Sequence, residues 1–404
     1  MRNYMLNLLR LITVILLLAP APGAVAADGL ARLRAALSDR DAVLVAAPDG
    51  GIVFAHNADC MLIPASTLKL LTALCAVDRL GADFRFKTEF FIDDAADLTI
   101  KGFGDPLLTS ENVGAAAKQL AVEIGGAMPT VNDLRLDNTY FSVPMTVPGV
   151  SRSTQPYDAP NGALCVNFNT VFFKRRDAQY VSAEPQTPLL PMAVDRIRQS
   201  GMDSGRITLS HRNNDITRYA GQMFRHFLSA AGLTISGRTT IAAVGGSDRR
   251  VLVFTSPHTL TDVVAKMMAY SNNFMANQIL LATGAAVYGP PATIDKGLDC
   301  LRGYARRALD VKSLTVAEGA GISRRNRMSA AAMMRVLKAY TPLRHTLRRR
   351  GPEFYKTGHL NGVRTRVGYI ESDAGPWRYV IFINSPGRTA ESVLKTLAIG
   401  RRSF

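Results

Sequence analysis

The sequence predicts a mixed α/β fold in which one domain of helices and strands is split by a β-rich insertion. Three observations carry this. Strand signals at the two ends of the chain, a hairpin around Pro48-Asp49-Gly50-Gly51 and late runs at 354–357, 365–371 and 379–384, can pair only in space. The pattern of the apolar helix that follows the hairpin returns beyond residue 250. Between them the pattern changes to short alternating stretches separated by Pro, Gly and Asn, which reads as inserted β structure.

Taken in order, residues 1–26 have the form of a secretory signal peptide. Arg2 and Arg10 precede an apolar run, and Ala24-Val25-Ala26 supplies a small-x-small cleavage pattern. The apolar run is too short to span a bilayer, and export to the periplasm is the expectation. Leu30 to Leu37 reads as a short amphipathic helix, followed by the strands Ala42–Ala46 and Ile52–Ala55. A helix starting near Ser66 and running to Val77 is apolar on nearly every side, as a helix at a domain centre would be. The insertion is expected over 84–247, with helices near 111–124 and 217–231, the first capped by Ser110. The domain then resumes, giving 27–83 and 248–404 as one unit. Helices are expected at 259–268, 274–282, 294–309, 329–339 and 390–399.

Composition narrows the function classes. With 404 residues and 47% hydrophobic content, the chain can bury a substantial core. Its net charge of +16 implies attraction to polyanions such as wall polymers or anionic headgroups. Export and the lack of an Arg-rich run interleaved with aromatics argue against nucleic acid. The four Cys, at 60, 75, 165 and 300, are too far apart for a zinc ribbon or a redox pair, and Cys75 and Cys300 fall in apolar helical patterns. No two His stand at ligand spacing, so neither a metal nor another cofactor is expected.

The chemistry is concentrated in three short motifs. Ser66-x-x-Lys69 opens the buried helix, and that spacing puts a hydroxyl and an amine on one face. Alone it says little, since Ser392-x-x-Lys395 repeats it near the C-terminus. Ser271-Asn272-Asn273 interrupts an apolar helical pair, and Lys356-Thr357-Gly358 begins a strand beside a Gly that permits close approach. A serine hydroxyl needs a base, and lysine is one only when its pKa is lowered. Burial, and the charge of Lys356 nearby, would both push Lys69 towards its neutral form. Ser271 can relay a proton to a leaving amine, and the Asn273 amide can both donate to and accept from a peptide bond. Lys356 and Thr357 suit a substrate carboxylate, and the N–H groups of Ser66 and His359 could hold an oxyanion.

In this order the motifs resemble those of the D-alanyl-D-alanine carboxypeptidase/endopeptidase family, low-molecular-mass penicillin-binding proteins with a large insertion between the first two motifs. Gly102-Phe103-Gly104-Asp105-Pro106, Asp137–Phe141 and Ala163–Asn169 are similar to family segments, as is Glu318–Asn326. Glu318 and Ala320 stand where the family has Asp and Ser, and His359 where it has Ser or Thr. The resemblance implies a serine penicillin-binding/β-lactamase-like domain of helices packed on an antiparallel sheet, with an inserted β-rich region, that cleaves peptidoglycan stem peptides through an acyl-enzyme on Ser66. Lys69 and Ser271 would be catalytic, and Asn273, Lys356, Thr357, Gly358 and His359 would bind substrate. It also implies β-lactams as covalent inhibitors, with room for peripheral contact with membrane or anionic wall polymers. Two alternatives stay open. One is a serine β-lactamase, although no Glu-x-x-Leu-Asn stands between the second and third motifs. The other is a catalytically weak wall-binding or scaffolding protein.

Overall fold

The computed structural model describes residues 22–212 and 214–397. The expected signal peptide lies mainly outside these residues. The first helix, α1 (Pro22–Ala36), leads to the hairpin of β1 (Asp41–Ala46) and β2 (Ile52–His56). Asp49 closes its turn by accepting a 2.8 Å bond from the Gly51 N–H, and Gly50 takes a φ of 99°, which a side chain would strain. A 3-10 turn, Ala65–Leu68, then runs straight into α2 (Lys69–Leu80). Every residue of α2 from Lys69 to Ala76 is buried.

The insertion follows, with β3 (Arg85–Ile92), β4 (Leu98–Gly102), α3 (Ser110–Ile124), β5 (Thr130–Val131), β6 (Leu134–Asp137), β7 (Thr170–Arg176) and β8 (Gln179–Ser182). It continues through α4 (Pro191–Ser200), β9 (Ser204–Thr208), α5 (Asp215–Ala230), β10 (Thr234–Ile235), β11 (Thr239–Ile241) and β12 (Arg249–Thr259). Five strands form one sheet in the order β11-β6-β4-β3-β12, and β8-β7-β9 form a second. A separate apolar core, including Phe90, Leu120, Leu136, Phe224 and Phe254, lies between the larger sheet and helices α3 and α5. β12 pairs antiparallel with β3, so this sheet reaches past the 247/248 boundary drawn from the sequence. An apolar strand does not announce which of two sheets it joins. Helix α4 escaped the sequence reading because it buries only Ala193 and Ile197. The cap of α3 is Thr109 and not Ser110, and the orphan N–H of Ser110 is taken instead by the Asn167 side chain at 2.9 Å.

Helices α6 (Leu260–Tyr270), α7 (Asn273–Tyr288), α8 (Ile294–Leu309) and α9 (Ala330–Tyr340) come next. Then β13 (Arg348–Arg350), β14 (Glu353–Leu360), β15 (Val363–Ile370), β16 (Trp377–Ile383) and α10 (Ala390–Leu397) close the described chain. The strands form an antiparallel sheet in the order β13-β14-β15-β16-β1-β2, with Asp41 opposite Ile383. One face meets the helices through residues such as Leu44, Leu71, Ile279, Val336 and Phe382. The other is covered by α1 and α10 through Leu33, Val43, Tyr379, Ile381 and Val393. Cys75, Cys165 and Cys300 are buried as free thiols, while Cys60 is exposed.

A buried ion pair braces β14 against β15. Arg366 donates from Nε and Nη2 to the two oxygens of Glu353 at 2.8 and 2.7 Å, and the Tyr379 hydroxyl also donates to Glu353. A planar fork on a carboxylate is strong, but removing one partner strands the other charge in the interior. Arg366→Met is expected to lower unfolding stability by about 3–5 kcal/mol in urea titrations. The double variant Glu353→Leu/Arg366→Met should recover most of that loss; equal destabilisation by single and double variants would contradict this account.

Candidate active site

Local backbone geometry brings the first motif together. In a 3-10 turn, side chains three apart eclipse, and Lys69 Nζ lies 3.0 Å from Ser66 Oγ. The turn is clamped from outside. Ala65 has a φ of 48°, and the Pro64 carbonyl accepts from the hydroxyls of Thr67 at 2.7 Å and Thr365 at 2.9 Å. A Cβ at Gly321 would collide with the Ala65 carbonyl, and one at Gly358 would sit 2.8 Å from the Ser66 nitrogen. Only glycine lets these two segments press on the turn.

The amine of Lys69 is fully buried, and it donates to Asn273 Oδ1 at 2.8 Å and to the Ala320 carbonyl at 2.6 Å. Burial lowers its pKa from the ordinary 10.5 to about 7, against the opposing pull of Glu318. Lys356 is itself held well below its ordinary value, first by burial and then by repulsion from Lys69 and Arg348. Two amines share the site, and their mutual repulsion disfavours charging both at once.

The second and third motifs meet at this lysine. Ser271 ends α6 with a φ of 52°, and Lys356 Nζ donates to its Oγ at 2.7 Å and to the Thr357 carbonyl at 2.6 Å. Asn272 caps α7 by accepting from the Met275 N–H at 2.9 Å, which starts the helix at Asn273. Asn273 Nδ2 reaches the Tyr157 carbonyl of the insertion at 3.2 Å. The structure thus gathers Ser66, Lys69, Ser271, Asn273 and Lys356 through direct bonds. Gly358 adjoins Ser66, and Thr357 enters through its carbonyl. His359 is exposed, stands opposite Arg364, and has its pKa lowered by partial burial and by Arg364 and Lys356.

Two participants carry no role in the sequence reading. Glu318 is buried and accepts from the N–H groups of Ala320, Gly321 and Ser323 at 2.6, 2.7 and 3.3 Å, and from Asn326 Nδ2 at 2.7 Å. It thereby folds the loop whose Ala320 carbonyl receives Lys69. The acid ahead of Gly-Ala-Gly was the available signal, since a carboxylate can gather successive turn N–H groups. Tyr157 acts through its backbone, which no residue identity announces.

Comparison with known proteins follows from this geometry. The family model described as D-Ala-D-Ala carboxypeptidase 3 (S13) matches residues 31–202 and 182–349. The chain belongs to that family. A D-alanyl-D-alanine carboxypeptidase of Actinomadura sp. is 26% identical over 345 residues, 73% of this chain and 63% of that protein. The chain therefore spans less than two thirds of that relative. The D-alanyl-D-alanine carboxypeptidase DacB of Haemophilus influenzae is 22% identical over 71% of this chain and 68% of its own length. The crystal structure of penicillin binding protein 4 from the same organism superposes with a TM-score of 0.72 at 19% identity, covering 91% of this chain and 97% of that one. The two share a fold, so the helix-on-antiparallel-sheet architecture with an insertion is that of a penicillin-binding protein.

The electrostatics can be checked without substrate. In protein carrying 13Cε-labelled lysine, one resonance should titrate with a midpoint of about 7 and should vanish in Lys69→Ala. A Lys69 that titrates with the bulk lysines would refute the lowered pKa.

Proposed function

We propose that this protein is a serine DD-peptidase that acts outside the cytoplasm on peptidoglycan stem peptides, as carboxypeptidase, endopeptidase or both, and that penicillin inhibits it. The observation that carries this is the environment of Lys69. A neutral amine has two N–H donors and one lone pair. Asn273 Oδ1 and the Ala320 carbonyl take the donors, so the lone pair is left to face the Ser66 hydroxyl 3.0 Å away.

In this reading Lys69 takes the Ser66 proton as Oγ attacks the carbonyl of the penultimate D-alanine. The oxyanion sits between the N–H groups of Ser66 and His359, a placement supported by the close approach of Gly358 to the Ser66 nitrogen. The proton passes through Ser271, held by Lys356, to the nitrogen of the breaking amide. Asn273 orients the peptide, Lys356 and Thr357 receive the terminal carboxylate, and water then hydrolyses the ester. In this proposal residues 27–83 and 248–404 form the catalytic unit, apart from β12, which pairs into the sheet of the insertion 84–247, and 1–26 are a leader cleaved on export to the periplasm.

A fluorescent penicillin is expected to label the wild-type protein and not Ser66→Ala, with Lys69→Ala slowing acylation by about 10²–10⁴-fold. Purified pentapeptide muropeptides should release D-alanine. A folded wild-type protein that takes no label and yields no product would overturn the proposal. Because the neutral amine is the base, acylation should rise with pH through about 7 and level off above it. A rate that is flat between pH 5 and 9 would remove Lys69 from the role.

A further inference from the structure

A cavity of about 770 Å³ opens beside the site, between α6 and the start of α7 on one side and the insertion on the other. Its size lies in the range of cavities that enclose small ligands. Tyr270 and Asn272, the residues on either side of Ser271, both line it. So does Pro156, the neighbour of the Tyr157 that bonds Asn273. The cavity therefore adjoins Ser271, the residue given the task of protonating the leaving amine.

Its insertion wall contains unusual backbone. Asn167, Phe168 and Asn169 take φ values of 49°, 60° and 54°, three successive non-glycine residues in the left-handed region. Such conformations are costly and persist where the surroundings enforce them, often at functional sites. Here the Asn167 amide holds Ser110 through its N–H at 2.9 Å and its Oγ at 2.8 Å, and Thr170 Oγ1 donates to the Asn167 carbonyl at 2.9 Å. Asn167 and Phe168 line the cavity, and the Phe168 ring meets Phe274 edge to face at 6.3 Å.

Charge adds a second, independent feature. Lys266 on α6 and Glu111 in the first turn of α3 both line the cavity, are exposed, and have no ion-pair or hydrogen-bond partner for their side chains among the described residues. Arg206, by contrast, is committed to Glu184 and to Thr170 Oγ1. A lysine and a carboxylate without partners among the described residues thus stand on walls contributed by the two units. A peptide offers the matching groups, a carboxylate for the cation and N–H donors for the acceptor.

We propose that this cavity is the subsite for the leaving half of a cross-linked substrate, a second stem peptide whose carboxylate is held by Lys266 and whose N–H groups face Glu111. The inference rests on the serine-peptidase reading. Acylation forms the bond from Ser66 Oγ to the donor carbonyl and breaks the bond to the side-chain nitrogen of the second peptide. That nitrogen gains the proton surrendered by Ser66 and leaves past Ser271 into the cavity.

The test compares a cross-linked muropeptide dimer with a monomeric pentapeptide, using Lys266→Glu, Lys266→Arg and Glu111→Gln. These surface replacements leave the core intact. Lys266→Glu is expected to raise KM for the dimer about tenfold, with monomer hydrolysis and penicillin acylation unchanged. Lys266→Arg should keep wild-type KM, and Glu111→Gln should raise dimer KM by a smaller factor. A parallel loss on dimer and monomer, an unchanged dimer KM in Lys266→Glu, or no dimer cleavage by wild type that still takes penicillin would each overturn the subsite while leaving the peptidase reading standing. A wild type that neither takes penicillin nor releases D-alanine from the monomer would overturn both.

Discussion

Burying one lysine amine is the constraint on which the site depends. Lowering its pKa from 10.5 to about 7 corresponds to roughly 5 kcal/mol of disfavoured charge. The amine is compensated by oxygens from three separate segments: Ser66 on the 3-10 turn, Asn273 at the head of α7, and the Ala320 carbonyl. Each must be delivered within hydrogen-bond distance. The cap at Asn272 fixes where α7 begins, and Glu318 gathers the N–H groups that shape the Ala320 loop. Gly321 and Gly358 let that loop and strand β14 close on the turn. The carboxylate that raises the pKa of Lys69 thus also builds the wall against which the lysine rests.

What the sequence disclosed, and what it hid, divides along chemical lines. Side chains with distinctive chemistry were readable: Ser66, Lys69, Ser271, Asn273 and Lys356 do converge. The split sheet was readable as well, because the Pro48–Gly51 turn and the late strands have strong local signals and β1 does pair with β16. Backbone participants were hidden. The carbonyls of Ala320 and Tyr157 are contributed by atoms every residue possesses, so only the path of the chain reveals them. The same holds for the 3-10 turn under Ser66, since periodicity alone does not separate it from the helix it feeds. The electrostatic coupling of the two lysines was foreseen, whereas the burial of Lys356 was not, because depth of burial is a property of the packed structure.

The insertion is part of this arrangement. Tyr157 accepts from the same Asn273 whose other amide atom receives Lys69, so one side chain links the insertion to the buried amine. Asn161 reinforces the junction, donating to the Phe274 carbonyl at 2.9 Å and to Gln278 Oε1 at 3.0 Å. A displacement of the insertion relative to α7 would act directly on the orientation of Asn273.

The position of β1 between β16 and β2 has a consequence for biogenesis. The insertion can assemble its own apolar core from a continuous stretch of chain as soon as that stretch emerges. The sheet beside Ser66 cannot, because its first strand must wait for one of its last. A partly made chain would therefore carry a finished insertion and an unfinished sheet beside Ser66. The sheet is complete only with the final strands, so a chain that stops short of β16 leaves β1 without its partner.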